Sequence, residues 1–147
     1  MEWRYVSDDW ESVSLHDYDI TDIEINEDVT LNFDDGFDVC AENPLNDTER
    51  HKHTGKAAVI LKNGAFHSAE YPSYEDGKLG TVRAQNIGLE ELLTLDLEVY
   101  SFDLKNGIFT LECNVWQNEK SFLTARFKCE KPLFCWNEFT EDAWFQE

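Results

Sequence analysis

The sequence predicts a single, mainly β domain: an antiparallel β-sandwich or partly open barrel with roughly seven to nine strands, one short helix and a helical C-terminal turn. Three observations lead to this prediction. The 147 residues are enough for one hydrophobic core. Apolar and polar residues alternate along much of the chain, and turn sequences separate the alternating segments. We expect one domain spanning residues 1–147.

Two turn sequences in the first half of the chain predict β-hairpins. Asp34-Asp35-Gly36 and Asn63-Gly64 each separate two apolar segments, and Asn-Gly suits a type I′ turn, in which both central residues have positive φ. The predicted hairpins join 29–33 to 37–40 and 57–61 to 65–71.

The second half of the chain predicts three consecutive antiparallel strands with one wet face. Alternation continues on both sides of Asn106-Gly107 and beyond a further turn near 117–120. The leucine spacing at 89–93 predicts a short helix packed on this sheet. At the end, Thr140 is predicted to cap a helical turn that presents Trp144 and Phe145.

The segment 14–25 changes its apolar phase. Tyr18 and Ile20 occupy even positions, whereas Ile23 and Ile25 occupy odd ones. A bulge or strand break near residues 21–22 would keep both pairs facing the core. In this phase His16 is predicted to face inward, and the neighbouring aspartates are predicted to face solvent.

The charge excludes some partners and favours others. The formal net charge is −19, and residues 1–50 hold 16 Asp and Glu against only Arg4 and Arg50. Such a chain repels nucleic acid and anionic membranes, which are bound through Lys and Arg. A concentrated negative field favours cationic partners, although it also serves solubility.

The sequence predicts a cytoplasmic protein. Its N-terminus lacks a secretory signal, and no apolar stretch is long enough to span a membrane. The four cysteines show no Cys-x-x-Cys spacing, and those in strand-like segments follow the apolar phase. We therefore expect buried, reduced thiols.

No motif for catalysis or cofactor binding is found, so we expect neither an enzyme nor a cofactor. A nucleophile elbow, a phosphate-binding glycine loop and a dinucleotide fingerprint are all missing. The many N-terminal carboxylates lack the spacing of an EF-hand. No metal site is predicted.

The two ends of the chain resemble a known group of proteins. Trp3, Ser14-Leu15-His16-Asp17 and Trp136-Asn137-Glu138-Phe139 carry the likeness, together with the isoleucines at 20, 23 and 25 and Ala143-Trp144. In these segments the chain resembles small acidic bacterial proteins of unknown function, some of which resemble immunity proteins of polymorphic toxin systems. The resemblance implies no catalytic residue.

The leading functional hypothesis is a non-catalytic module, most concretely an immunity-type inhibitor, that binds a basic toxin or nuclease. Its predicted partner-binding residues are Asp17, Asp19, Asp34, Asp35 and Asp38. The alternative is a small-molecule or metal-binding protein, or a hydrolase, with a pocket lined by His16, His51, His53 and His67. A subunit that pairs through a strand edge is a third possibility, so the oligomeric state stays open.

Overall fold

The computed structural model describes residues 3–71, 74–75, 78–79, 85–116 and 121–144. Its first half contains β1 (Tyr5–Ser7), a 3-10 helix (Trp10–Ser12), β2 (Val13–Ser14), β3 (Asp19–Ile20), β4 (Asp22–Ile25), β5 (Val29–Phe33), β6 (Asp38–Val39), β7 (Lys52–Thr54), β8 (Ala57–Leu61) and β9 (Ala65–Tyr71). Its second half contains β10 (Tyr74–Glu75), β11 (Lys78–Leu79), β12 (Gln85–Ile87), α1 (Leu89–Leu92), β13 (Leu97–Lys105), β14 (Ile108–Val115), β15 (Ser121–Lys128), β16 (Pro132–Trp136) and β17 (Phe139–Asp142).

Three antiparallel sheets surround one hydrophobic core, which confirms the mainly β prediction. The strand orders are β1-β16-β8-β5-β4, β12-β9-β15-β14-β13-β3 and β17-β7-β6-β2, and β10 pairs only with β11. Buried side chains from all three sheets form a single cluster. Among the described strands no sheet closes into a barrel. The strands are shorter and more numerous than the roughly seven to nine expected, because the chain often passes from one sheet to another.

The two hairpins predicted in the first half are wrong. β5 pairs with β4 and β8, whereas β6 pairs with β2 and β7. β8 in turn lies between β5 and β16, and β9 belongs to the six-stranded sheet. β8 is buried along nearly its whole length, as is typical of a central strand. Because β5 and β16 occupy both of its edges, β9 cannot pair with β8, and the turn at Asn63-Gly64 leads to another sheet.

The predicted three-strand unit is confirmed. β13, β14 and β15 pair in sequence order, and Asn106 and Gly107 both have positive φ, at 52° and 75°. The short helix also forms. Leu92 is fully buried, but Leu93 is exposed rather than facing the core. Within the described ranges no helix is long and apolar enough to cross a membrane.

The predicted break near residues 21–22 is confirmed. β3 pairs with β13 in the six-stranded sheet, and β4 pairs with β5 in the five-stranded sheet. The chain thus changes sheets at Thr21, whose N–H and hydroxyl both donate to the carbonyl of Asn32. Ile20 is buried as expected, but Ile25 is exposed.

The C-terminal helical turn is wrong, because residues 139–142 form strand β17. Pairing with β7 satisfies this backbone, and Asp142 lies 2.7 Å from Nε of Arg50 and 2.8 Å from Nζ of Lys52. Trp144 follows the strand and is exposed, whereas Phe145 lies outside the described residues.

The four cysteines are free thiols. Cys113, Cys129 and Cys135 are buried, and Cys40 is half-buried. Burial raises the pKa of Cys113 and Cys135 to about 12 in each case, with a smaller contribution from Glu112 at Cys113. These thiols act as small apolar core residues, as the sequence predicts.

Candidate protein-binding surface

Asp38 is buried, which corrects the prediction that it faces solvent. It lies on β6, between β2 and β7, and its side chain has no exposed surface. The hydroxyl of Tyr18 lies 2.8 Å from both carboxylate oxygens, and Nδ1 of His53 lies 2.9 Å from Oδ1. Burial raises the pKa of Asp38, while hydrogen bonds from His53 and Tyr18 oppose this effect. Asp38 therefore stabilises the fold and is not accessible to a partner.

His53 completes this buried group. Its Nε2 lies 2.6 Å from the carbonyl oxygen of Asp35, and its Nδ1 faces the Asp38 carboxylate. Both ring nitrogens therefore lie within hydrogen-bond distance of oxygen atoms of the fold. The pKa of Tyr18 is raised, chiefly by burial and then by Asp38. These hydrogen bonds fix the orientation of the His53 ring within the fold.

The other four predicted aspartates are exposed, as expected. Asp34 and Asp35 lie in the turn after β5, and Asp17 and Asp19 flank Tyr18. Asp17 has φ of 71°, and its N–H donates to the carbonyl of Val99 at 2.8 Å. This contact fixes the chain beside β13, so that Asp19 lies directly opposite Glu98 in the sheet.

Asp19 is the centre of a cluster of like charges. Its pKa is raised by partial burial and then by Glu98, Asp35 and Asp96. We call these four residues, Asp19, Asp35, Asp96 and Glu98, the acidic group. Among ion pairs in which both residues are described, Lys and Arg pair with Asp8, Asp28, Glu70 and Asp142.

A cleft of about 460 Å³ opens beside the acidic group. Asp19 and Asp96 line it, together with the exposed apolar side chains of Leu93 and Trp116. Residues 20, 21, 94, 95 and 97 complete its wall. The surface therefore combines negative charge with exposed apolar area.

A row of rings lies on the same side of the molecule. Trp144 packs on His16, with ring centroids 5.9 Å apart, and His16 packs on Tyr100 at 5.5 Å. Tyr100 then contacts Phe122 at 6.1 Å. We call Trp144, His16, Tyr100 and Phe122 the aromatic row.

The four histidines predicted to line one pocket occupy different surroundings. His53 borders a cavity of about 250 Å³ together with Tyr18, Glu141, Asp142 and Trp144. His16 packs on the outer Trp144, and its Nδ1 lies 2.7 Å from the Tyr100 carbonyl oxygen. His67 lies on β9 in the six-stranded sheet, with Nδ1 2.9 Å from Oγ of Ser68.

His51 lies close to two other possible metal ligands. The ligand atoms of Cys40, Glu42 and His51 are all within 4.8 Å of one another. However, Nδ1 of His51 already accepts the N–H of Ala41 at 2.9 Å. The pKa of the Cys40 thiol is raised by burial and then by Glu42, Asp38 and Asp9. A metal bound through Nδ1 would displace this hydrogen bond, and a metal bound to Cys40 would displace the thiol proton.

Comparison with protein-family models, curated proteins and solved structures finds no match.

The sequence analysis missed Asp96, Glu98, Tyr100 and Phe122. Phe122 could have been predicted as an exposed aromatic residue, because it falls on the polar phase of β15 with Thr124. Tyr100 faces outward in the same phase as Glu98, and the register of β13 shifts between Val99 and Ser101. The apolar phase changes at this bulge from Leu97 and Val99 to Phe102 and Leu104, whereas the pairing of Asp19 with Glu98 depends on the order of strands in the sheet.

Proposed function

We propose that this chain is a non-catalytic protein-binding module that recognises a basic partner. The binding surface comprises the exposed aspartates at 17, 19, 34 and 35, together with Asp96 and Glu98 from the α1–β13 region. The position of Asp19, directly opposite Glu98 and in a cleft that Asp96 also lines, carries the proposal, and burial together with these acids raises the pKa of Asp19. Like charges held together destabilise the free protein, and a cationic side chain placed among them relieves that repulsion.

In its most concrete form, the module is an immunity-type inhibitor that covers the basic surface of a toxin or nuclease. The net charge of −19 supports this form, as does the resemblance of the chain ends to proteins of that kind. Fast, electrostatically steered association suits an inhibitor that must find its target quickly. The free thiols fit a reducing compartment such as the cytoplasm.

The histidines support a non-catalytic function. His53 has the most enclosed ring, but both of its nitrogens are hydrogen-bonded within the fold. His16 is bonded to a backbone carbonyl and lies on the outer surface. In both arrangements the ring is held by hydrogen bonds within the fold, which fits a structural role for these two histidines.

Charge reversal tests the proposal. A partner retained from cell lysate at low salt and released at high salt would be purified, then titrated with wild-type protein and with Asp19→Lys/Asp35→Lys. We expect at least about tenfold weaker binding and a smaller salt dependence, because close charge pairs at interfaces are strongly coupled.

The matched control is Glu27→Lys/Glu49→Lys, which makes the same change in net charge at exposed sites outside the acidic group. We expect a smaller loss of affinity from this control. Equal losses in the two double variants would show that only overall charge matters. Unchanged affinity in Asp19→Lys/Asp35→Lys would refute the proposed function.

The proximity of Cys40, Glu42 and His51 favours a second candidate function, metal binding. Zinc accepts this set of thiolate, carboxylate and imidazole ligands. Calorimetric titration with Zn²⁺ tests whether these residues bind a metal. One ion bound per chain, lost in both Cys40→Ser and His51→Ala, would establish this alternative, and binding unaffected by either change would remove it.

A further inference from the structure

The aromatic row is an unusual surface for so acidic a chain. The exposed fractions of Tyr100, Phe122 and Trp144 are 50%, 45% and 62%. Such side chains add nothing to solubility, and clusters of exposed aromatic residues mark interaction sites. Tyr and Trp are also the residues most often found as energetic anchors in protein interfaces.

The fold positions the aromatic row in the free protein. Tyr100 faces outward in the same phase as Glu98 on β13, and its carbonyl oxygen lies 2.7 Å from Nδ1 of His16. The strand register fixes Phe122 on the neighbouring part of the sheet. Preorganised side chains lose little conformational freedom on binding, which favours affinity.

Carboxylates lie near the middle of the row and at its Trp144 end. Asp19, Glu98, Asn114 and Phe122 are successive register partners across four adjacent strands, so Phe122 lies roughly 10 Å from Glu98 and roughly 15 Å from Asp19 across the sheet. At the other end, Glu141 and Trp144 border the same cavity of about 250 Å³. Asp17 lies between, with Oδ1 3.4 Å from Nε2 of His16.

We propose that this surface binds arginine side chains of the basic partner. A guanidinium stacks on Tyr100 or Trp144 and pairs with a neighbouring carboxylate, and Phe122 extends the aromatic surface beside Tyr100. Arginine fits better than lysine because its planar group stacks on rings and binds carboxylates through two nitrogens. A purely apolar partner is disfavoured, since it would bury these carboxylates without compensation. The inference rests on the proposed function and specifies its ligand.

Two synthetic peptides test the inference. Both have twelve residues and equal charge, with arginine in one and lysine in the other, spaced by glycine and serine. We expect wild-type protein to bind the arginine peptide at least about fivefold more tightly at low salt, because stacking adds to the common electrostatic attraction. In Tyr100→Thr/Phe122→Thr this preference should fall to less than about half, because only Trp144 remains for stacking, and the affinity for the lysine peptide should change less.

The control is Ile25→Thr, which removes an exposed apolar side chain from β4 in the five-stranded sheet. This variant should keep the preference for the arginine peptide. Threonine retains strand propensity, and circular dichroism with thermal unfolding checks that each variant folds. Trp144→Ser, outside every strand, gives an independent second variant and should reduce the preference.

The outcomes separate the two proposals. Equal affinity of wild-type protein for both peptides, or a preference that is undiminished in Tyr100→Thr/Phe122→Thr, overturns the arginine inference and leaves the proposed function standing. Failure of both peptides to bind at low salt overturns both. Loss of affinity for both peptides in Asp19→Lys/Asp35→Lys, with the arginine preference retained, supports the acidic group as the shared electrostatic part.

Discussion

Among single residues, Asp38 has the largest predicted effect on stability. It is fully buried, and its two oxygens receive hydrogen bonds from Tyr18 and His53. Asp38→Ala leaves a buried hydroxyl and imidazole without their acceptor. We expect the free energy of unfolding, measured with urea, to fall by about 3–5 kcal/mol.

Asp38→Asn serves as the matched comparison. The asparagine oxygen still accepts from Tyr18, so we expect a smaller loss than from Asp38→Ala. A loss below about 1 kcal/mol in the alanine variant would contradict the view that this carboxylate organises the four-stranded sheet.

The pH dependence of stability tests the charge crowding at Asp19. Its pKa in the folded protein is raised by burial and by Glu98, Asp35 and Asp96. Ionised Asp19 thus destabilises the fold above its folded pKa, and this cost disappears below its unfolded pKa. Asp19→Asn should therefore raise stability at pH 7 by roughly 0.2–1 kcal/mol, and the gain should vanish near pH 3.

Asp28→Asn should behave in the opposite way. The pKa of Asp28 is lowered by the backbone N–H of Asn63 and by Lys62. Its stabilisation is present above the unfolded pKa and is lost as the pH falls through the folded pKa. The variant should therefore be less stable than wild type at pH 7 and equal to it at low pH. Parallel changes in both variants would contradict the assigned causes.

At the scale of elements, two turn glycines make contrasting predictions. Gly36 and Gly107 have φ of 80° and 75°. A Cβ at Gly36 would overlap the carbonyl oxygens of Thr54 and Gly55, whereas at Gly107 its nearest neighbour would be 3.5 Å away. Gly107→Ala should cost about 1–2 kcal/mol from left-handed strain alone.

Gly36→Ala should cost clearly more, because β7 must also move. Urea unfolding of the two variants compares them directly. Similar losses would mean that the chain between β5 and β6 can shift away from β7 without consequence.

Local patterns determined which elements the sequence could predict. The β13–β14–β15 unit depends on alternation and on Asn106-Gly107, which are properties of neighbouring residues, and it was predicted correctly. The turn at 34–36 was also recognised, but the hairpin assigned to it was wrong. The pairing partners of β5 and β8 depend on distant segments such as β16. A pattern in neighbouring residues cannot predict such long-range pairing.

For the molecule as a whole, the candidate site was only partly visible in the sequence. The acidic character of the N-terminal residues was clear, and four of the five chosen aspartates are exposed. Folding moves Asp38 into the core and brings Asp96 and Glu98 from a later segment to Asp19. The aromatic row depends even more on folding, since it joins residues 16, 100, 122 and 144.

The net charge of −19 predicts how the whole fold responds to salt. Thirty-one acids face only twelve bases, so repulsion should outweigh exposed ion pairs such as Arg50–Asp142, which are each worth about 0–1 kcal/mol. The urea midpoint should therefore rise as NaCl increases from about 0.01 M to 0.15 M, where the screening length falls from about 30 to 8 Å. The rise in the urea midpoint should level off at higher NaCl concentration. This distinguishes charge screening from other effects of salt on stability, which continue to increase with concentration. A midpoint that falls over this range would mean that ion pairs dominate the electrostatics of the fold. The acidic group would then not be a source of repulsion that a basic partner relieves.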